Sequence, residues 1–110
     1  MAKVNHYDLS VFADRLKEIK PAMLLLNVYI QKRDSLNRIE LKKDDIRVAL
    51  GVERRTVTNW ILKLARNGAI KYQYSGSTRL NPFFYFDGTD EEFEQAKKEW
   101  REFQSAIKVV

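Results

Sequence analysis

Residues 39–79 constrain the fold most, because two helical segments and an alternating segment follow one another there without a linker. A short strand is predicted at 39–41, and a short helix begins near Lys43. The apolar side of this helix consists of Ile46, Ala49 and Leu50. Gly51 follows at once, where a chain leaving a helix needs a positive φ that a Cβ would penalise. The pattern predicts two helices joined by a tight turn.

A second helix is predicted over 53–66, since apolar residues recur there at helical spacing. Its inward-facing residues are Val57, Trp60, Ile61 and Leu64. An Asn-Gly pair ends this helix, and the alternation at 70–74 predicts a strand with inward-facing tyrosines. A flexible tip at 75–77 leads into another strand, so the segment ends in a β-hairpin.

Further helices are predicted on both sides, which gives an α+β fold that is mainly α with a small β-hairpin. An N-terminal pair covers 9–19 and 22–32, with Pro21 in the first turn of the second helix. Thr89 and Glu92 form a capping box for a C-terminal helix. The 110 residues, with four Gly and two Pro, predict one domain. Its parts are N-terminal helices at 1–35, a helix-turn-helix and wing at 39–86, and a C-terminal helix at 89–107.

The charge distribution favours a nucleic-acid partner. The chain carries a net charge of +5, and no acidic residue lies between Glu53 and Asp87. The basic residues of that stretch are Arg54, Arg55, Lys63, Arg66, Lys71 and Arg79. A merely solvated surface rarely omits one sign of charge so completely. Residues 87–102 are instead acidic, which predicts either a surface that repels phosphate or simply a solvated acidic helix.

The second helix of the pair has the side chains of a DNA-reading helix. If its apolar residues face the core, the opposite face carries Arg55, Thr58, Asn59, Leu62 and Arg66. Arg55 has the planar fork that reads guanine, and Asn59 has the paired donor and acceptor that read adenine. Such a helix places its first residues in the major groove and its later ones near the backbone.

Other polar residues are expected to contact phosphates, which positions the protein without reading sequence. Lys42, Lys43, Arg47 and Lys63 suit this role, and the hairpin could follow a minor groove or the backbone. The full predicted DNA-binding set is Lys42, Lys43, Arg54, Arg55, Thr56, Thr58, Asn59, Lys63, Arg66, Lys71, Ser75, Gly76, Ser77, Thr78 and Arg79.

The C-terminal helix carries an apolar seam at coiled-coil spacing. The seam consists of Phe93, Ala96, Trp100, Phe103 and Ile107. Two heptads cannot hold a free-standing coiled coil, so the seam must pack against something. It either covers the N-terminal helices of its own chain or forms the interface of a homodimer, and the sequence leaves both alternatives open.

Catalytic machinery is not evident. The single histidine, His6, lies near the N-terminus, where chain ends fray, and the chain has no cysteine. No glycine-rich phosphate loop is present, and adjacent carboxylates in a helix point to different faces. We therefore expect no enzymatic activity, no metal and no cofactor. The apolar runs are too short for a membrane span or a signal peptide, so a cytoplasmic location is expected.

The sequence STRLNPFFYFDG follows the helix-turn-helix directly and precedes the acidic helix with its tryptophan. The matching positions are Asn81, Pro82, Phe83, Phe84, Tyr85, Phe86 and Gly88. This segment resembles RepL-type replication initiation proteins of small bacterial plasmids, and the resemblance covers residues 41–103. It implies a winged-helix domain that binds double-stranded DNA at a plasmid or phage replication origin, with host replication proteins as further partners.

The segment LGVERRTVTNWILKLARNGAI is similar, more generally, to the DNA-binding part of winged-helix transcriptional regulators. A transcriptional repressor is therefore an alternative within the same class. A winged helix that binds another protein and no DNA is the alternative from a different class, and the basic stretch argues against it.

Overall fold

The computed structural model describes the backbone of residues 3–6 and all of residues 20–109. The predicted helix at 9–19 lies outside these residues. The fold is α+β, as predicted. In chain order its elements are β1 (Lys3–His6), a 3₁₀ turn (Lys20–Ala22), α1 (Met23–Lys32), β2 (Arg38–Glu40), α2 (Lys43–Leu50), α3 (Arg54–Arg66), β3 (Ile70–Tyr72), β4 (Ser77–Leu80), β5 (Phe86–Thr89) and α4 (Asp90–Glu102).

Helix α2 ends where the sequence predicted, but one of its predicted core residues faces solvent. Gly51 adopts φ 64° and its N–H donates to the Arg47 carbonyl at 2.9 Å. Ile46 is fully buried and Leu50 is half-buried, whereas Ala49 is exposed. Ala49 lies about 60° around the helix from Ile46, on the side away from Leu50. The buried side of this short helix is narrower than the predicted one.

Strands β2, β4 and β3 form an antiparallel sheet with β4 in the middle. Successive side chains point to opposite faces of a strand, so each strand has one buried and one outer face. The inner face consists of Ile39, Ile70, Tyr72, Thr78 and Leu80. The helices contribute to the same core Leu25, Leu26, Tyr29, Ile46, Val57, Ile61 and Leu64. Half-buried Trp60 packs against it.

A three-residue turn joins β3 to β4 and is anchored to the chain before α2. The Gly76 N–H donates to the Gln73 carbonyl at 2.9 Å, and the Gln73 N–H donates to the Ser77 carbonyl at 2.9 Å. Gly76 adopts φ 97°, which favours glycine. Its carbonyl accepts from the Leu41 N–H at 3.2 Å. The tip of the hairpin is therefore fixed relative to α2.

The outer face of the sheet carries three basic side chains in one row. Arg38 lies opposite Arg79 in register, and Arg79 lies opposite Lys71. Like charges directly opposite one another destabilise a sheet. The Glu99 carboxylate of α4 compensates, because it accepts hydrogen bonds from Arg38 Nε and Nη2 at 2.7 and 2.6 Å. It also lies 3.7 Å from Arg79 Nε.

Aromatic residues at the end of α4 cover the rest of the row. The Trp100 ring lies 4.7 Å from Lys71 Nζ, which also donates to the Trp100 carbonyl. The Phe103 ring centroid lies 4.7 Å from the Arg79 guanidinium carbon. Both are cation–π contacts. Since α3 shares the core with the inner face, α4 lies on the opposite side of the sheet from α3.

Helix α4 ends at Glu102, so the prediction that it continues to residue 107 is wrong. The free edge of β3 explains the end, because unpaired backbone groups at an edge need partners. The Tyr72 N–H donates to Ser105 Oγ at 3.2 Å, and the Tyr72 carbonyl accepts from the Ala106 N–H at 2.8 Å. Residues 103–109 leave the helix and satisfy this edge.

The apolar seam contacts its own chain along its length. The Phe93 ring packs against Phe86 and Phe83, with centroids 5.3 and 6.1 Å apart. Ala96 is buried, and Ile107 packs against the main core. Trp100 and Phe103, which lie between Ala96 and Ile107 in the sequence, cover the row of basic side chains on the outer face of the sheet. These contacts are intramolecular, as one of the two alternatives predicted, and within the described residues they are made with the sheet, with β5 and with Phe83.

A second, two-stranded sheet escapes prediction. β1 pairs antiparallel with β5, with His6 opposite Phe86 and Lys3 opposite Thr89. His6 therefore lies in a strand, which corrects the expectation of a frayed terminus. Aspartate and glycine within β5 are poor strand formers, and the partner strand comes from the other end of the chain. No local pattern could reveal this pairing.

The Asn-Pro segment forms a turn that connects β4 to the end of α3. Asn81 is buried, and its Nδ2 donates to the Gly68 carbonyl at 2.8 Å. Its Oδ1 accepts from the Phe83 N–H at 2.9 Å. Phe84 and Phe86 are fully buried. Asn81, Phe84 and Phe86 therefore have structural roles.

Gly76→Ala should lower the free energy of unfolding by about 2–4 kcal/mol, measured by urea denaturation. A Cβ at Gly76 would lie 2.9 Å from the Leu41 carbonyl oxygen, in addition to the strain of a positive φ. Gly51→Ala is the matched control, because its Cβ would meet nothing within 4 Å. It should lose only about 1–2 kcal/mol from backbone strain. Equal losses in the two variants would contradict the anchoring of the tip.

Glu99→Gln should reduce stability in a pH-dependent way. The hydrogen bonds from Arg38 lower the pKa of Glu99 from 4.5 to about 2. A depressed folded-state pKa contributes stability above the unfolded pKa and loses it as pH falls towards the folded value. The difference from the native protein should be about 1–2 kcal/mol at pH 6, after allowance for solvent around Arg38, and should shrink as the pH falls from about 5 towards 2.

Urea denaturation at several pH values measures this difference. Glu91→Gln removes an exposed carboxylate of the same helix and should change stability by less than about 0.5 kcal/mol at every pH. A pH-independent difference for Glu99→Gln would show that its charge does not stabilise the packing of α4.

Candidate nucleic-acid interface

Helix α3 presents a polar face to solvent because its apolar residues recur at helical spacing. The buried side contains Val57, Ile61, Leu64 and Ala65. The exposed residues of the helix are Arg54, Arg55, Asn59, Lys63 and Arg66. Thr56, Thr58 and Leu62 are half-buried between these two sides. The structure therefore brings together the predicted base-reading and flanking residues of this helix on one surface.

The beginning of α3 is electropositive. Its first turn contains no acidic residue, and Glu53 at the N-cap makes no side-chain capping hydrogen bond. The amide groups at a helix N-terminus favour anions, and Arg54 and Arg55 add two positive charges there. Among the described residues, no ion pair neutralises Arg54, Arg55 or Arg66. This end of the helix can accept phosphate or the electronegative edge of a base.

An open cleft separates the starts of α2 and α3 from the hairpin. Its volume is about 700 Å³. The residues that line it are Lys42, Lys43, Asp44, Arg54, Tyr72, Tyr74 and Ser75. Lys42 is exposed and Lys43 is half-buried, so the two predicted phosphate contacts lie at its rim. The only carboxylate in this lining, that of Asp44, lies 3.9 Å from Arg47 Nε.

Two predicted contacts in the hairpin are buried. Thr78 is on the inner face of the sheet and its Oγ1 donates to the Gly76 carbonyl at 3.2 Å. Gly76 is buried against Leu41. Half-buried Ser77 is on the outer face, where its Oγ donates to Glu40 Oε1 at 3.0 Å. Ser75 alone of the predicted hairpin tip stays exposed beside the cleft.

Lys71 and Arg79 do not belong to the surface of α3. Both are on the outer face of the sheet under α4, and the side chain of Arg79 is only 18% exposed. Burial, followed by the nearby charge of Lys108, lowers the pKa of Lys71. Strand alternation could have shown this, since both residues alternate with buried positions in β3 and β4. They therefore lie on the other side of the sheet from the exposed residues of α3.

The prediction that the side chain of Tyr74 faces inward is wrong. Alternation with Tyr72 predicted an inward side chain, but β3 ends at Tyr72 and Tyr74 belongs to the turn. Its side chain is 75% exposed, and its ring packs edge-to-face on Tyr72 with centroids 6.0 Å apart. An aromatic ring is therefore exposed at the tip of the hairpin, next to the basic rim of the cleft.

The central sheet lies between α3 and the acidic helix α4. Helix α3 packs with its inner face, and α4 packs on its outer face. The exposed acidic residues of α4 are Asp90, Glu91, Glu94 and Glu102. They therefore lie on the other side of the sheet from the exposed basic residues of α3.

Residues 20–109 and the described strand at 3–6 contain no cluster of acidic or histidine side chains able to hold a metal ion. In the same part of the chain, no helix has the length and apolar character needed to cross a membrane. Comparisons with known proteins found no family, no curated protein and no solved structure that matches this chain.

Proposed function

We propose that this protein is a winged helix-turn-helix that binds double-stranded DNA sequence-specifically. In this arrangement α2 and α3 form the helix-turn-helix, and β3 and β4 form the wing. The order α1, β2, α2, α3, β3, β4, with β2 paired to β4, is typical of winged helices and supports the proposal. The observation that carries it is the exposed face of α3, which combines arginine, asparagine and lysine side chains without an acidic residue.

The base-reading side chains are Arg55 and Asn59. They lie one helical turn apart on the exposed side of α3, close to its N-terminus. The first turns of a recognition helix reach base edges in the major groove. Arg55 can donate two hydrogen bonds to guanine O6 and N7, and Asn59 can pair with adenine N6 and N7. Both side chains are exposed, so they are accessible to a base edge.

The proposed phosphate contacts are fewer than the set that we predicted from the sequence. Lys42 and Lys43 flank the cleft, and Lys63 and Arg66 lie further along α3. These residues can hold backbone phosphates on the two sides of the groove that α3 enters. Lys71 and Arg79 are left out because they pack under α4. The proposed interface is therefore smaller and confined to one side of the sheet.

The biological setting that we propose is a plasmid or phage replication origin. The support is the resemblance of the segment around Asn81 to RepL-type initiators. A plasmid that contains the cognate origin should fail to replicate when the gene carries Arg55→Ala, provided that the variant folds. Normal replication, together with altered transcription, would favour the repressor alternative.

DNA affinity should fall steeply with salt. About three to five phosphate contacts predict a log–log slope of dissociation against salt with a magnitude near 3–4.5 per protomer. Fluorescence anisotropy on fragments of the encoding replicon, between 50 and 300 mM salt as rough working limits, gives this slope. No binding at the low end, or an affinity independent of salt, would contradict DNA binding and favour a protein-interaction module.

Arg55→Ala should weaken binding to the preferred sequence by about 1–3 kcal/mol and relax the preference at one base pair. Lys63→Ala should weaken binding to all sequences alike, because a phosphate contact carries no base information. The matched control is Lys98→Ala, which removes an exposed lysine from α4 on the other side of the sheet and should leave affinity unchanged. Equal, sequence-independent losses for Arg55→Ala and Lys63→Ala would show that Arg55 does not read bases.

A further inference from the structure

The cleft beside the hairpin combines an exposed ring with positive charge. Tyr74 is 75% exposed, more than any other aromatic side chain of the described residues. The other lining side chains include Lys42, Lys43 and Arg54. The single carboxylate in the lining lies near Arg47, so the cleft keeps an excess of positive charge.

The ring of Tyr74 packs on one neighbouring ring, and the turn that carries it is anchored through its backbone. Tyr72, which is 1% exposed, fixes it through an edge-to-face contact at an angle of 89°. Two residues later, the Gly76 carbonyl accepts a hydrogen bond from the Leu41 N–H. An exposed aromatic ring that loses little freedom on binding is an efficient stacking surface.

We propose that this cleft binds an unpaired DNA nucleotide, with its base stacked on Tyr74 and its phosphate held by Lys42, Lys43 or Arg54. In a duplex the faces of each base are covered by its neighbours, so a ring at this position can stack only on a base that has left the helix. Aromatic stacking combined with basic side chains is the chemistry by which proteins hold single strands. The volume of about 700 Å³ lies in the range of ordinary small-ligand sites.

The position of the cleft connects this site to the duplex surface. Arg54 lines the cleft and is the first residue of α3, whose next residue, Arg55, is the proposed base reader. A base that leaves the duplex next to the recognition helix would therefore meet Tyr74 within the same complex. The inference rests on the proposed DNA binding and adds that the protein holds DNA with a locally opened base pair more tightly than intact duplex.

The test compares three DNA probes of equal length: a duplex, the same duplex with three unpaired bases, and one single strand. Affinities are measured by fluorescence anisotropy for the native protein, Tyr74→Ala, Tyr74→Phe and the control Lys98→Ala. Tyr74→Ala should weaken binding to the two probes with unpaired bases by about 5- to 150-fold. Its affinity for the duplex should stay within about twofold, and Tyr74→Phe, which keeps the ring, should behave as the native protein.

Circular dichroism shows whether each variant is folded, and the exposure of Tyr74 makes unfolding by its replacement unexpected. If the native protein binds duplex, equal losses of affinity on duplex and unpaired probes, or no loss on either, would overturn the stacking site but not the proposed DNA binding. Tyrosine-dependent binding of the single strand without any duplex binding would support the site and overturn the proposed function. No binding of any probe would overturn both.

Discussion

Three cations in register on one sheet face, Arg38, Arg79 and Lys71, impose a constraint that the rest of the molecule satisfies. Such a row is unstable unless an opposite charge and polarisable rings cover it. The carboxylate of Glu99 and the two aromatic residues at the end of α4 do this. Because α4 lies on that face, α3 packs with α1 and α2 on the other side of the sheet.

This arrangement also places the acidic residues of α4 on the other side of the sheet from the basic residues of α3. The acidic helix is attracted to the basic outer row and is held far from α3 by the thickness of the sheet. The cations at the start of α3, Arg54 and Arg55, and those at the rim of the cleft, Lys42 and Lys43, lie on the other side of the sheet from α4. The same packing that stabilises the fold therefore keeps the acidic helix away from these cations.

Backbone contacts at the edges of the sheet position the other functional elements. The Gly76 carbonyl accepts from the Leu41 N–H and so ties the hairpin tip to the chain just before α2. On the opposite edge, residues 103–109 satisfy β3 and stop α4 from extending as a coiled-coil seam. The aromatic seam consequently stabilises the protomer. The exposed ring of Tyr74 is a by-product of the turn, since β3 ends two residues before it.

The sequence by itself determined the local structure. Four features depend only on residues that are close in the sequence, so each could be predicted from it. They are the helical spacing, the Gly51 turn, the Thr89–Glu92 capping box and the absence of acidic residues in α3. Only the tertiary structure decided which basic residues stay exposed. Lys71 and Arg79 lie in the same basic stretch as Arg55, but sheet pairing turns them towards α4. The pairing of β1 with β5 and the end of α4 at Glu102 likewise depend on partners that are distant in the sequence. Such features could not be predicted, because backbone hydrogen bonds between separate segments leave no periodic pattern in either segment.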